Sequence, residues 1–233
     1  MQENPLIVAL DVPDIAHAER LVDQIGDGAS IFKIGYQLAP VGGFDLAQKL
    51  IASGRKVFFD LKYHDIGATV EKGVRSIASL GGNFLTVHAE KDVLSAAMRG
   101  KGEAEQLNIL AVTVLTSLSQ ADLHESGYDI ALKDLVLKRA RRARDAGADG
   151  IVASALEAAD IRREVGPDML IITPGVRPQG AATGDQKRVV TPENAILAGA
   201  NYIVVGRPIT EAADPGRAAK AIAEEAMAAV ARA

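Results

Sequence analysis

The chain contains no cysteine, so disulfide bridges, thiolate nucleophiles and cysteine-ligated metal sites are excluded. It also lacks long apolar runs: the stretch from Ile109 to Leu115 is far shorter than the roughly 20 residues of a membrane-spanning helix. Nothing near Met1 resembles a basic, apolar, small-residue signal peptide. We therefore expect a cytoplasmic protein with no membrane partner.

A large charge of one sign is missing as well. The 26 basic and 30 acidic residues give a net charge of -4, which does not favour nucleic acid as a partner. A chain of this charge must bind an anion locally. Its 233 residues, 48% of them hydrophobic, can bury a large core and fit one barrel-sized domain over residues 1–233.

Short apolar runs alternate with amphipathic stretches, which is typical of repeated strand–helix units around a parallel sheet. The first predicted helix follows Asp14 as N-cap and ends at Gly26. The eight predicted strands run from Leu6 to Asp11, Ile31 to Gly35, Lys56 to Lys62, Phe84 to His88, Ile109 to Leu115, Gly150 to Ala153, Leu170 to Thr173 and Tyr202 to Gly206.

Eight units in this length predict an α/β fold, a (β/α)8 TIM barrel. Two similar segments, 146–151 and 198–203, support the count because each indicates a helix end, a glycine turn and a strand entry. The main alternative is a doubly wound open sheet. No Gly-x-Gly-x-x-Gly fingerprint follows the first strand, which argues against it.

Charged residues stand at the ends of apolar strands, where burial costs an ionised group its hydration. Asp60 and Lys62 close the third strand and share a face, because alternate residues of a strand point the same way. Asp65 lies in the loop beyond, and Lys33 is the lone lysine of the second strand. Together they predict an alternating Lys, Asp, Lys, Asp array.

Other polar residues also stand at or just after the carboxyl ends of predicted strands. The carboxyl ends of barrel strands converge on one mouth. Asp11 closes the first strand, His88 closes the fourth, and Thr116 and Ser117 follow the fifth. Their recurrence on successive strands favours a functional site over isolated structural groups.

Two loops predict a phosphate site. The loop from Thr173 to Arg188 is polar, rich in glycine and longer than most barrel loops, as lids often are. After the eighth strand, Gly206 permits close backbone approach and Arg207 supplies a forked donor before a helix start. We therefore assign Gln179, Gly206 and Arg207 to a phosphate.

Two other kinds of site are disfavoured. His64 and His88 suggest a metal, but Lys33 and Lys62 would crowd a divalent ion, and no His-x-x-x-His or Glu-x-x-His spacing occurs. Ser117, His88 and Asp60 could form a hydrolytic triad, yet no Gly-x-Ser-x-Gly elbow presents the serine. We expect neither a metal nor acyl transfer.

The array favours decarboxylation. A substrate carboxylate at roughly 4 Å from Asp60 would be repelled by on the order of 4 kcal/mol at an effective dielectric of about 20. Departure of neutral CO2 removes that repulsion. The Lys62 ammonium can stabilise the carbanion left behind and protonate it. The sequence carries no motif for pyridoxal phosphate, thiamine or flavin, so no cofactor is expected.

Seven segments of the chain together form a family pattern that covers nearly its whole length: residues 9–11, 33–35, 60–65, 87–89, 113–117, 174–178 and 205–209. In these segments the chain resembles the bacterial-type orotidine 5′-phosphate decarboxylases. This family of carboxy-lyases converts orotidine 5′-monophosphate (OMP) to UMP and CO2, the last step of de novo pyrimidine synthesis. The Asp-x-Lys-x-x-Asp part, residues 60–65, is shared with 3-keto-L-gulonate 6-phosphate decarboxylases.

The resemblance implies a role for each candidate. Lys62 would protonate C6 of the pyrimidine, Asp60 would lie beside the departing carboxylate, and Lys33 would bridge Asp60 and the ribose. Asp11 would bind ribose hydroxyls, and Thr116 and Ser117 would read the pyrimidine edge. The remaining implied roles are phosphate binding by Gln179, Gly206 and Arg207, a place in the closing loop for Arg177, and completion of a neighbouring subunit's site in a homodimer by Asp65 and Thr69.

Two alternatives remain open. One is a metal-dependent phosphosugar enzyme of the same barrel type, a keto-gulonate phosphate decarboxylase or a pentulose phosphate epimerase. The other is a catalytically silent nucleotide-binding protein. An assay in EDTA separates the first from the main hypothesis, and loss of OMP absorbance excludes the second.

Overall fold

All eight predicted strands form and close into one parallel barrel in a computed structural model, which describes residues 3–178 and 190–232. Neighbours in sequence are neighbours in the barrel, and β1 pairs with β8 to close it. The predicted TIM barrel is therefore confirmed. The strands are β1 Leu6–Ala9, β2 Ile31–Ile34, β3 Lys56–Tyr63, β4 Phe84–His88, β5 Asn108–Val112, β6 Gly150–Val152, β7 Leu170–Pro174 and β8 Tyr202–Val205.

Helices follow the strands and pack around the barrel. Asp14 caps the first of them, since its Oδ1 accepts a hydrogen bond from the His17 backbone N–H at 2.7 Å, and Gly26 ends it with φ at +52°. The helices are α1 Ile15–Ile25, α2 Gly43–Ala52, α3 Gly67–Ser79, α4 Lys91–Lys101, α5 Gln120–Glu125, α6 Leu132–Asp145, α7 Ala155–Val165, α8 Pro192–Leu197, α9 Arg207–Thr210 and α10 Pro215–Val230, with short 3₁₀ turns at Gly26–Gly28 and Ala39–Val41.

Two apolar clusters make up the core. The larger one lies between the strands and the surrounding helices. The smaller one consists of buried strand residues that fill the barrel interior, Ile7, Ala9, Ile31, Phe58, Phe84, Leu110, Ile172 and Val204. Because side chains alternate along a strand, the residues two positions beyond this layer also face inward, toward the mouth.

Several strands end earlier than the sequence predicts. β1 stops at Ala9, although the Leu10 N–H still donates to the Lys33 carbonyl and keeps Asp11 at the mouth. β5 stops at Val112, so Thr116 and Ser117 lie in a loop four and five residues beyond it. Strand ends are set by the last ladder hydrogen bond, which apolar composition does not reveal. No helix within the described ranges is long and apolar enough to cross a bilayer.

Candidate active site

Four charged side chains meet at the barrel mouth. The buried Lys33 ammonium contacts Asp11, with Nζ at 2.9 Å from Oδ1 and 3.2 Å from Oδ2. The same Nζ lies 3.5 Å from Asp60 Oδ2. On the other side, Lys62 Nζ lies 2.7 Å from Asp60 Oδ1. The order in space is therefore Asp11, Lys33, Asp60, Lys62, with one carboxylate held between two ammonium groups.

Asp60 is the more enclosed of the two carboxylates, with a side chain 17% exposed against 52% for Asp11. Burial alone would raise the pKa of this carboxyl, because the charged form loses its hydration. Lys33, Lys62 and a hydrogen bond from Thr86 outweigh burial and hold the Asp60 pKa below its ordinary value. The Asp60 carboxylate therefore stays negatively charged at neutral pH.

Gly35 leaves the space that the array needs. A Cβ at this position would lie 3.2 Å from Lys33 Nζ and 3.3 Å from Asp11 Oδ1, closer than side chains ordinarily approach. A side chain at this position would require Lys33 Nζ and Asp11 Oδ1 to shift by a few tenths of an ångström. The glycine of the Lys33-Ile34-Gly35 segment is thus part of how the site is built.

Asp65 and Thr69 are not part of the chain of ion pairs. Both side chains are exposed, and Asp65 Oδ1 accepts a hydrogen bond from the Ile66 N–H at 2.6 Å. They line an outer cavity of about 550 Å³, which Lys62, Tyr36, Tyr63, His64 and His88 also line. Within one chain the ion pairs join Asp11, Lys33, Asp60 and Lys62, and Asp65 shares only the outer cavity with Lys62.

The array opens into a cavity of about 400 Å³, here called the array cavity. Thr116 and Ser117 line it, as do Lys33, Asp60 and Lys62. The remaining wall is mostly apolar, formed by Phe58, Val112, Val114, Leu115, Val152, Pro174 and Val204, with Tyr36 at the edge. An apolar group that also carries polar atoms can be bound in such a space.

A second cavity of about 390 Å³ adjoins the first, since Lys33, Asp60, Pro174 and Val204 line both. Gly206, Arg207, Arg177 and Asp11 line this arginine cavity, with Thr210 and Glu211. Arg177 is buried and donates to the Val176 carbonyl at 3.0 Å. Burial and the nearby Arg207 lower the Arg177 pKa. Gln179 lies outside the described residues.

His64 and His88 stack against each other, with ring centroids 4.7 Å apart. Burial lowers the pKa of His88, and its Nδ1 lies 4.0 Å from Glu90 Oε2. Ser117 lines the array cavity whereas His88 lines the outer cavity, so they face different spaces. Among the described residues no three histidine, aspartate or glutamate side chains are grouped to hold a metal ion.

Sequence reasoning missed two residues that contact the array. Thr86 is fully buried on β4, and its hydroxyl donates to Asp60 Oδ1 at 3.0 Å. The Tyr36 hydroxyl donates to the Leu61 carbonyl at 2.8 Å, and Lys62 Nζ lies 5.6 Å from the Tyr36 ring centre. The available signal was Thr86 itself, a hydroxyl in an apolar strand and in alternation with the inward-facing Phe84.

Comparison with known proteins gives a consistent result. The model of the family described as "Orotidine 5'-phosphate decarboxylase / HUMPS family" matches residues 4–222. A protein of Methylobacterium sp. (strain 4-46) named orotidine 5′-phosphate decarboxylase is 60% identical over 222 residues, 94% of each chain. One of the same name from Rhodopseudomonas palustris (strain BisA53) is 56% identical over 220 residues, 94% of this chain and 93% of its own.

A solved structure agrees with the sequence matches. The crystal structure of orotidine 5′-phosphate decarboxylase from Lactobacillus acidophilus superposes with a TM-score of 0.85 at 36% identity, covering 96% of this chain and 99% of the other. The resemblance predicted from the motifs, and with it the expectation of a carboxy-lyase, is confirmed at the level of the family. The chain belongs to the orotidine 5′-phosphate decarboxylase / HUMPS family.

Proposed function

We propose that this protein converts OMP to UMP and CO2, and that the two lysines and Asp60 perform the chemistry without a cofactor. The observation that carries the proposal is the Asp60 carboxylate, which is 17% exposed and lies between Lys33 Nζ at 3.5 Å and Lys62 Nζ at 2.7 Å. Such a fixed anion beside a fixed cation opposes a substrate carboxylate and favours the carbanion that replaces it.

In the proposed step, the bond between C6 of the pyrimidine and its carboxyl carbon breaks and leaves its electron pair on C6. Neutral CO2 departs, which ends the repulsion from Asp60. The Lys62 ammonium stabilises the carbanion and gives it a proton. The neutral amine then takes a proton from water, so no oxidant or reductant is required.

The two adjoining cavities support the assignment of the substrate's parts. The pyrimidine would occupy the array cavity against its apolar wall, with Thr116 and Ser117 at its polar edge. Lys33 lines both cavities and contacts Asp11, which lines the arginine cavity, and the ribose hydroxyls would bind to these two residues. The phosphate would enter the arginine cavity at Gly206 and Arg207, with Gln179 as a further donor and Arg177 at the base of the closing loop.

We also propose a cytoplasmic homodimer with shared sites, in which Asp65 and Thr69 complete the array of a second copy. Both residues are exposed, and neither joins the ion pairs of Asp11, Lys33, Asp60 and Lys62 in its own chain. Two large apolar side chains beside them are also strongly exposed, Ile66 at 73% and Tyr36 at 64%. A second copy placed over this face would cover them.

The test is an assay of purified protein with OMP in the presence of EDTA. The ultraviolet absorbance of OMP falls when its pyrimidine loses the carboxylate, so the absorbance reports turnover. Turnover in EDTA supports the cofactor-free proposal, because the two ammonium groups then supply the positive charge that a metal would otherwise give. Turnover only after addition of a divalent ion would instead favour a metal-dependent barrel enzyme. A protein that binds OMP without consuming it would contradict any catalytic role.

A further inference from the structure

One peptide unit of β3 is displaced from the parallel ladder. Between Phe59 and Tyr63 the chain advances four positions on β3, while β4 advances only two, from Leu85 to Val87. The extra residues form an irregular bulge that includes Asp60 and Lys62. The peptide between Leu61 and Lys62 lies inside this bulge, where both its polar groups must find other partners.

Two side-chain hydroxyls bind this single peptide from opposite sides. Its N–H, which belongs to Lys62, donates to Thr86 Oγ1 at 2.9 Å. Its carbonyl, which belongs to Leu61, accepts from the Tyr36 hydroxyl at 2.8 Å. Thr86 comes from β4 and Tyr36 from the segment after β2, so the peptide is held by both neighbouring parts of the barrel.

The conformation that results is unusual. Lys62 has φ at +43°, and it is the only residue other than glycine with a positive φ in the described part of the chain. A side chain with a Cβ disfavours this region, so the backbone needs support from its surroundings to stay there. An ordinary extended conformation would restore the alternation of the strand and redirect the Lys62 side chain.

Thr86 links this backbone to the charged array. Its one hydroxyl proton goes to Asp60 Oδ1 at 3.0 Å, which leaves a lone pair for the Lys62 N–H. Lys62 Nζ reaches the same Asp60 oxygen at 2.7 Å. One threonine therefore orients the carboxylate and the backbone of the lysine simultaneously, in a fully buried position.

We infer that Tyr36 and Thr86 are positioning residues, whose hydroxyls clamp the Leu61–Lys62 peptide and so aim the Lys62 ammonium at the reacting carbon. This inference rests on the proposed function, in which Lys62 protonates C6. Thr86 lines neither substrate cavity, and although the Tyr36 side chain stands at the edge of the array cavity, its hydroxyl donates to the Leu61 carbonyl. The two hydroxyls act by fixing the position of Lys62 Nζ relative to Asp60.

The test uses Thr86→Val, which keeps the shape and removes the hydroxyl, with Thr86→Ser as the rescue variant. Misplacing a reacting group by about 1 Å costs on the order of 100-fold in rate. We expect Thr86→Val to lower kcat by about that factor and to leave KM for OMP within about threefold. Thr86→Ser should regain most of the lost kcat.

Tyr36→Phe tests the other side of the clamp, because it removes only the hydroxyl. We expect a fall in kcat of about tenfold at unchanged KM. Since both hydroxyls hold one peptide, the double variant should lose less than the product of the two single losses. Fully additive losses would mean that the two residues act separately and would overturn the clamp.

Tyr202→Phe is the matched control for loss of a hydroxyl. Tyr202 is the first residue of β8, at the end of the barrel opposite the mouth, and its hydroxyl donates to Glu3 Oε2 at 2.8 Å. This variant should keep wild-type kcat. A loss of stability in Thr86→Val with kcat within about threefold of wild type would overturn the inference. If Thr86→Val does not fold, the kcat of Tyr36→Phe decides in the same way.

Lys62→Ala separates this inference from the proposed function. If Lys62→Ala retains activity, Lys62 is not the proton donor. The proposed function then fails, and the positioning of Lys62 by Tyr36 and Thr86 has no catalytic effect. If Lys62→Ala is inactive while Thr86→Val and Tyr36→Phe turn over like wild type, only the clamp is wrong.

Discussion

At the scale of the residue, Asp60 carries the main electrostatic feature of the protein. Its carboxylate is mostly buried and yet has a lowered pKa, because Lys33, Lys62 and Thr86 all favour the charged form more than burial disfavours it. The three partners lie on different strands: Lys33 on β2, Lys62 at the end of β3 and Thr86 on β4. Folding therefore creates a site in which this group stays ionised.

A pH dependence of stability follows. Since the pKa of Asp60 is lower in the folded protein than its ordinary value of 3.8, the ionised group stabilises the fold above that value. The contribution is lost as the pH falls through the lowered pKa. We expect urea unfolding to show wild type more stable than Asp60→Asn by a constant amount at about pH 5 to 7, and by a shrinking amount below about pH 3.8. A difference that grows on acidification would contradict the assigned charge.

Lys62→Ala is the second test at this scale. Loss of the general acid alone costs about 10²–10⁴-fold, and loss of the cation beside the carbanion adds to it. We expect CO2 release to fall by at least about 10⁴-fold, while circular dichroism shows an intact barrel. Substantial remaining activity in a folded variant would remove Lys62 from the proton-donor role.

At the scale of the element, the segment after β8 is proposed to convert phosphate binding into turnover. Gly206 caps the four-residue helix α9, and Arg207 is its first residue. Binding energy from a remote phosphate can be used to maintain the unfavourable contact between the substrate carboxylate and Asp60. Phosphate binding and catalysis should therefore weaken together.

Arg207→Ala tests this link with two substrates. We expect kcat/KM for OMP to fall by at least about 100-fold, because a charge-assisted contact of about 3 kcal/mol is lost. Orotidine, which has no phosphate, should be processed at the same low rate by the variant and by wild type. If OMP turnover stays within a few fold, the phosphate assignment is wrong.

At the opposite end of the barrel, Arg162 on α7 ties loops together without taking part in the site. Its Nη1 donates to the carbonyls of Gly166, Pro167 and Met169 at 2.8, 3.0 and 2.7 Å. Its Nη2 donates to the Gly199 carbonyl at 3.0 Å and to Asn201 Oδ1 at 2.7 Å. One guanidinium thus joins the segments that lead into β7 and β8.

Arg162→Ala should destabilise the fold by about 2–3 kcal/mol, because hydrogen bonds to a charged donor are among the stronger ones. Turnover at the distant mouth should stay at the wild-type value. The neighbouring Arg163→Ala is the control, since Arg163 is 77% exposed and pairs only with Asp160 among the described residues; we expect less than about 1 kcal/mol. Urea unfolding measures both losses. If the two variants lose the same free energy of unfolding, the five hydrogen bonds of Arg162 do not stabilise the fold.

Elements could be predicted from the sequence better than their contacts. All eight strands were found, because apolar runs and turn residues mark them locally. The bulge in β3 and the positive φ of Lys62 were not, since they depend on Thr86 and Tyr36, which are distant in sequence. Asp60 and Lys62 were recognisable because charged residues stand out at the end of an apolar strand. The regular alternation expected for them does not hold through the bulge, and the partners of their backbone come from distant parts of the chain.

At the scale of the whole molecule, one chain does not assemble every residue that the motifs suggest. Asp65 and Thr69 stay outside the array of their own chain, next to the exposed Ile66 and Tyr36. This separation could not be predicted from spacing, because Asp65 is only three residues from Lys62. The symmetric dimer proposed above, with residues exchanged between sites, would explain it.

Mixing two inactive variants tests that dimer. In a hybrid of Lys62→Ala and Asp65→Ala subunits, one site carries both changes and the other carries neither. Random exchange should therefore restore about a quarter of wild-type activity. Sedimentation should show a dimer throughout. A mixture that stays inactive although hybrids form would mean that Asp65 acts within its own chain.

The most direct test of the central claim is exchange of the C6 proton of UMP in D2O, followed by proton NMR. Exchange forms the same carbanion with no carboxylate to expel, so it reports on Lys62 without the repulsion from Asp60. We predict measurable exchange by the wild-type enzyme and none above background by Lys62→Ala. Exchange by Lys62→Ala at the wild-type rate would contradict the account.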